Sequence, residues 1–377
     1  MIWLALLIPI IAIIFLAIKH ANRMHIVEYI VLFLVPTIAI FVGKSCSVHS
    51  QTKDTEFWNS YGTSAMYEEE WRERWTEIET YTVTVGSGKN QRTETRTRLV
   101  TKTAHHPEKW TLFDNTKNSY GISKSYFEQL CTLWGNRVFK DMQRGKSSGH
   151  TITKNGNAYI TTYDNVFDHT IPICKAYSYE NKIQCSKSVF NFRDVSPEDI
   201  EKYKLFDYPS ENLFNYNPIL GCSNPIAIKK LQKYNALNGL RRQIHMLLVV
   251  FDDQPLEAGL FQESLWKGGN KNEFILCVGK KGEDIKWTKI ISWTEQDELK
   301  IRTAREIKEM KKFDAVKIVD YMGQNIPKSF LRKNFKDFSY IAIRPTSRAI
   351  IITYIITLVT TLIVACFSLF NKLEHYR

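Results

Sequence analysis

The seven cysteines include no C-x2-C pair, no H-E-x-x-H stretch occurs, and the one stretch that looks like a phosphate loop is incomplete. The first two absences argue against a zinc ribbon and a helical zinc-protease site. The third concerns GSGK at 86–89. A phosphate loop needs glycine where Val83 stands, serine or threonine where Asn90 stands, and a following helix, whereas a threonine-rich β pattern comes next here. The first apolar run has no basic region before it and no A-x-A site after it, so a cleavable signal peptide is not expected. No internal repeat is visible. Alanine is scarce while lysine and asparagine are common, the usage of an AT-rich genome.

What the chain does have is apolar material in three blocks, 2–18, 26–43 (with one acid, Glu28) and 349–370. Each approaches the ~20 residues that cross a ~30 Å hydrocarbon core. The expectation is an integral, multi-pass membrane protein of mixed α+β class with three transmembrane helices. A two-helix hairpin lies within 1–43 and a single helix at 349–370. Net charge is +12; the two ends contribute one positive charge each (Lys19, Arg23 and Glu28; Lys372, Glu374 and Arg377), which leaves +10 on the region between them.

Three crossings put 19–25 and 371–377 on one side and the large domain on the other. Both short pieces carry two lysines or arginines, and the positive-inside rule weighs short segments most. The domain is therefore expected to be extracytoplasmic, periplasmic or on the outer face of the inner membrane. Opposing this, the domain-side approach to the last span holds Arg332, Lys333, Lys336, Arg344 and Arg348. These are candidate contacts for anions or lipid headgroups. Six cysteines fall in the domain, an even number that suits an oxidising compartment. In CKAYSYENKIQC, two β-like runs flank ENK, so a hairpin would set Cys174 opposite Cys185 as a disulfide; buried free thiols are the alternative.

Residues 44–222 read as a β-rich α+β region. ETYTVTV and TETRTRLVTKT alternate with period two around a glycine-rich turn, a long hairpin. Its return strand sets Arg96, Arg98 and Lys102 on one face, either an anion-binding stripe or a solvated sheet face. In AHHPEKW, adjacent histidines of a strand point to opposite faces, so His105 and His106 suit turn and packing better than a metal. NGN at 155–157 reads as a hairpin turn. Phe127, Leu130, Leu133 and Trp134 form a helical stripe, and Ser196-Pro197 opens a capped helix.

From 223 the order becomes α-β-α-β-β-α, with buried strands in HMLLVVF and EFILCVG, a pattern that predicts a C-terminal α/β sandwich over 223–343. The leading helix, the LLVVFDD strand, the LFQESLWKGGNKNEFILCVG helix and strand, and the closing hairpin resemble the TPM family of extracytoplasmic, membrane-tethered domains over 223–315. The resemblance implies a domain facing away from the cytoplasm, with roles in assembly or repair of membrane complexes, and phosphatase activity with divalent-cation binding in some members. GSGKNQRT and HPEKW also look like segments of uncharacterised membrane proteins of bacteria and phages.

Three functions are carried forward. The first is a noncatalytic, membrane-anchored module that binds another envelope protein, since no complete catalytic constellation is visible. The second is calcium- or magnesium-assisted phosphatase action. Asp252 and Asp253 sit past the end of a buried strand, where α/β sheets place ligands, although Asp-Asp-Gln-Pro is also good turn chemistry. The third is a cytoplasm-facing domain that binds nucleic acid or anionic lipid; the scattered basic residues favour lipid over nucleic acid.

Overall fold

The computed structural model describes the chain except for residues 21–24, 89–90, 143, 145–148, 186–191, 210–213, 215 and 374–377. Helix and sheet are mixed, and three helices are long and apolar enough to cross a membrane. Helix α1 (Leu7–His20), entered through a 3-10 turn at Ile2–Leu6, and α2 (Ile26–Thr52) pack with the C-terminal helix α9 (Ser347–Leu373). Glu28 caps α2, its carboxylate accepting the His25 backbone N–H at 2.7 Å, which explains the one acid in that run. One stripe of α9 carries Thr353, Thr357 and Thr361, all buried, each hydroxyl donating to the carbonyl four residues earlier at 2.7 Å. Small residues with internally satisfied hydroxyls let apolar helices approach closely, and Gly43 of α2 packs directly on Thr353.

Helix α2 runs straight into β1 (Lys53–Glu68), the axis of the central region. After two residues the chain continues as β2 (Trp71–Val85), turns, and comes back as β3 (Arg92–His106) and β4 (Lys109–Asp114), with β5 (Ser119–Gly121) beside it. The expected hairpin thus forms, with 15 register pairs between β2 and β3, and continues inward as the β1–β4 pair. Helix α3 (Lys124–Trp134) buries Phe127, Leu130 and Trp134 against Ala65, Leu112 and Ile173. Ser123 is its N-cap, and Gly135 ends it in the left-handed region at φ 67°. Strand β6 (Val138–Lys140) pairs with residues 158–160.

The NGN expectation is corrected. Strand β7 (His150–Lys154) pairs with β2 and β8 (Ala158–Thr162) pairs with β1, so 155–157 is a crossing between sheets and not a hairpin turn. It runs alongside the matching kink at Glu69 and Glu70. Asn157 accepts from the Glu69 N–H at 2.9 Å, and Gly156, at φ 60°, lies where a side chain would meet the Glu70 carbonyl.

The disulfide expectation is corrected for a related reason. Strand β9 (Pro172–Glu180) forms no hairpin with the segment after it; it pairs along Lys53–Tyr61 of β1. Cys174 is thereby opposite Asn59, whereas Cys185 reaches the far end of the ladder, where its thiol donates to the Gln51 carbonyl at 2.8 Å. The two cysteines are therefore not joined to each other.

Helix α4 (Pro197–Tyr203) has the expected Ser196 cap. The C-terminal sheet orders β10 (Ile219–Leu220), β11 (His245–Asp252), β12 (Glu273–Lys281) and β13 (Asp284–Ser292), the first three parallel and the last antiparallel. It starts before residue 223, because β10 belongs to it. Helices α5 (Pro225–Arg242), α7 (Asp297–Glu309) and α8 (Ala315–Ser329) cover the face of Met246, Leu248, Val250 and Leu276. On the other face α6 (Leu256–Leu265) and residues 203–208 flank Leu247, Val249, Phe251 and Ile275. Seven consecutive residues of β11, and seven of β12, are buried. At ~1.5–3 kcal/mol for each large apolar side chain, this sheet is the best-anchored part of the molecule.

Candidate functional site

The two sheets meet where β1 and β9 lie against the edge formed by the starts of β11 and β12. The contact is polar and largely closed to solvent. Gly239 of α5 comes so close to the Asn59 backbone that no side chain fits between them. Asn59 Nδ2 lies 2.8 Å from His245 Nδ1, Asn272 Nδ2 donates to the Phe57 carbonyl at 2.6 Å, and the His245 backbone N–H donates to the Asn272 carbonyl at 2.8 Å. Phe57 packs on Tyr208 and His245 with ring centroids 6.4 and 5.7 Å apart.

At the centre is Glu273, wholly buried and in register with His245. Its carboxyl accepts from Tyr208 Oη, from the Asn270 N–H at 2.8 Å and from Asn270 Nδ2 at 3.1 Å. Burial raises its pKa, opposed by the nearby His245 charge and by the Tyr208 hydrogen bond. The Tyr208 hydroxyl is pushed well above its ordinary value, first by burial and then by the Glu273 charge. The network extends through Asn270 to Tyr179, whose hydroxyl is 3.1 Å from Asn270 Oδ1 and from Asp54 Oδ2, and on to Asn181, which donates to Asp54 at 2.7 Å. Burial pushes Tyr179 up as well.

Three open cavities ring this junction. One, about 360 Å³, lies against Asp54, Tyr208 and Asn270. A second, about 630 Å³, has Asp114 in its wall, with Glu56 and Lys175. Asp114 accepts from Ser60, Thr116, Asn118 and Tyr120; these hydrogen bonds hold its pKa below the ordinary value against the opposing effect of burial. It holds a turn. The third, about 360 Å³, gathers Lys182, Lys271, Arg332, Lys333 and Lys336 around Tyr179, Glu180 and Phe335.

The residues singled out from sequence fall in different places. Arg332, Lys333 and Lys336 share the third cavity, while Arg344 and Arg348 are exposed at the entry to α9. Asp252 ends β11 and pairs with Lys280 at 2.8 Å; Asp253, left-handed at φ 52°, pairs with Lys281 at 3.1 Å. Since adjacent residues of a strand face opposite ways, Lys280 and Lys281 draw the two aspartates to opposite faces. Among the described residues no group of three or more histidine, cysteine, aspartate or glutamate side chains has metal-ligating geometry. Each carboxylate of the candidate calcium or magnesium pair is held by a lysine. The stripe on β3 is paired with carboxylates: Arg98 with Glu79 and Lys102 with Glu77 across the ladder, and Arg96 with Glu94 on β3 itself. His105 and His106 do point to opposite faces, toward Glu70 and Glu73.

Sequence reasoning missed the junction itself. Its only local signal is a run of polar residues, Asn270 to Glu273, leading into a fully buried strand. No family model matches the chain, no curated protein matches it, and no solved structure matches it.

Proposed function

We propose that this protein is a membrane-anchored interaction module whose domain lies outside the cytoplasm and whose contact arm is the β2–β3 hairpin. The observation that supports this is the arm's outward face. On one face of the ladder, Thr76, Ile78, Thr80, Thr82 and Thr84 stand opposite Thr101, Leu99, Thr97, Thr95 and Thr93, and every one of these residues is exposed. Ile78 and Leu99, at 69% and 74% exposure, form an apolar pair at its centre. Fifteen residues at ~3.3 Å each span ~50 Å, and a two-stranded ribbon of that length gains little by itself. Cross-strand threonine pairs and the ion pairs on the opposite face supply the local support. A neutral, flat, uncovered face suits another protein of the envelope better than nucleic acid or anionic lipid.

The extracytoplasmic side rests on the positive-inside asymmetry of 19–25 and 371–377, and the resemblance of 223–315 to TPM domains points the same way. A photo-crosslinker at position 97 is expected to capture one envelope protein in intact cells, and Ile78→Asp with Leu99→Asp to abolish that capture while leaving the domain's melting temperature unchanged. Undiminished capture by that double variant would remove the arm from the reading.

A further inference from the structure

We infer that the third cavity is a binding site for a phosphate monoester. Five cationic side chains, Lys182, Lys271, Arg332, Lys333 and Lys336, line a space of about 360 Å³ that holds one acid, Glu180. Two of the cations are anchored from behind. The buried carboxylate of Glu56 holds Lys271 at 3.1 Å and faces Arg332 at 3.9 Å, while Tyr179 lies under the Lys271 ammonium at 4.2 Å. Lys182 is fixed by donating to the Ser339 carbonyl at 2.9 Å. Lys333 and Lys336 have no carboxylate within ion-pairing reach among the described residues. Asp297, the acid that senses Lys333, is taken by Lys300, and Asp337 is next to the Asn334 amide at 3.4 Å.

So many like charges around one space repel each other unless an anion enters, and three prepositioned cations with two more that have no carboxylate partner match a dianion better than a monoanion. A pocket of this size accepts a phosphate together with a small polar body.

Position bears on the source of the phosphate. The cavity is tied to the top of α2, where the Asn181 N–H donates to the Thr52 carbonyl. Thr52 is nine residues beyond Gly43, the end of the apolar run, or ~13 Å for a helix near the membrane normal. A headgroup layer is only ~5–7 Å thick on each side. A soluble phosphate ester reaches the cavity unaided, and a lipid phosphate reaches it only if the headgroup is drawn upward.

The test uses the full chain in phosphatidylcholine nanodiscs, titrated with glycerol 3-phosphate by calorimetry, with and without phosphatidic acid in the disc. Saturable binding is expected, weakened roughly tenfold or more by Lys333→Glu with Lys336→Glu. It should be retained by the two Lys→Arg changes, and by Lys308→Glu with Lys317→Glu, which alters net charge equally on exposed positions of α7 and α8. If phosphatidic acid blocks the titration, the site takes a lipid headgroup; if it does not, the ligand is soluble, and both results support the site. No saturable binding of either probe, or equal losses in the two charge-reversal variants, overturns it.

Discussion

Glu273 shows how a single buried carboxyl can fix a junction without serving as a nucleophile. Because burial raises its pKa, the folded protein binds this proton more tightly than the unfolded chain. Stability from this group is therefore greatest below the ordinary value of 4.5 and falls as pH rises from there toward the folded pKa. Glu70 has the opposite sign. Hydrogen bonds from Lys154 and His105 lower its pKa to about 2, so its contribution is complete above 4.5 and is lost as pH falls toward that value. Unfolding profiles in detergent should accordingly decline on both sides. Glu273→Gln should flatten the upper slope, because an amide at this position does not titrate. Tyr208→Phe, which removes a donor to that carboxyl, should cost about 1–3 kcal/mol. An unchanged upper slope in the Gln variant would show that the titration of Glu273 does not set it.

At the scale of elements, one close approach decides how the two sheets dock. In an exposed helix interior, glycine to alanine ordinarily stabilises by up to ~1 kcal/mol. At Gly239 of α5 the added methyl would stand 2.7 Å from the Asn59 carbonyl carbon, so α5 and β1 must separate. Gly239→Ala is therefore expected to destabilise by about 1–3 kcal/mol, read as a lower melting temperature, and a stabilised variant would refute the packing described. The β2–β3 arm lacks such a contact over most of its length. Strand β7 supports only Arg72–Trp75, the register of Trp75 with His150 being the last before the ladder stands alone.

For the whole molecule, both connections to the apolar bundle are at one end. The Gln51 side chain donates to the Arg344 carbonyl at 3.1 Å, and the Thr346 N–H donates to Ser47 Oγ at 3.2 Å. Tyr354 Oη donates to the Met1 carbonyl at 3.1 Å, so the chain's first residue lies at the domain end of the bundle as well. Cys46, exposed just beyond the apolar part of α2, reports the side directly. A membrane-impermeant maleimide is expected to label Cys46 in intact cells, with Cys46→Ser removing that label. Labelling only after lysis would place the domain in the cytoplasm and leave the phosphate site to be judged separately by its own titration.

Features set within one turn or one strand were legible from the residues alone. The three apolar helices arise from hydropathy over about twenty residues, the β2–β3 hairpin from strict alternation, and the helix beginning at Pro197 from its Ser196 cap. The features that went astray depend on partners far away in the chain. Cys174 and Cys185 looked like neighbours, but β1, more than a hundred residues earlier, claimed β9; of the two readings open for the Arg96, Arg98 and Lys102 stripe, its exposed pairing with glutamates of β2 and β3 fits the solvated sheet face. The junction required Asn59 to meet His245 and Phe57 to meet Asn272, pairs 186 and 215 residues apart. Local sequence determined the elements, because hydrogen-bond periodicity and capping act over a few residues. The tertiary structure alone decided which polar and charged groups are paired, buried or left facing a cavity, because that depends on which distant strand completes each sheet edge.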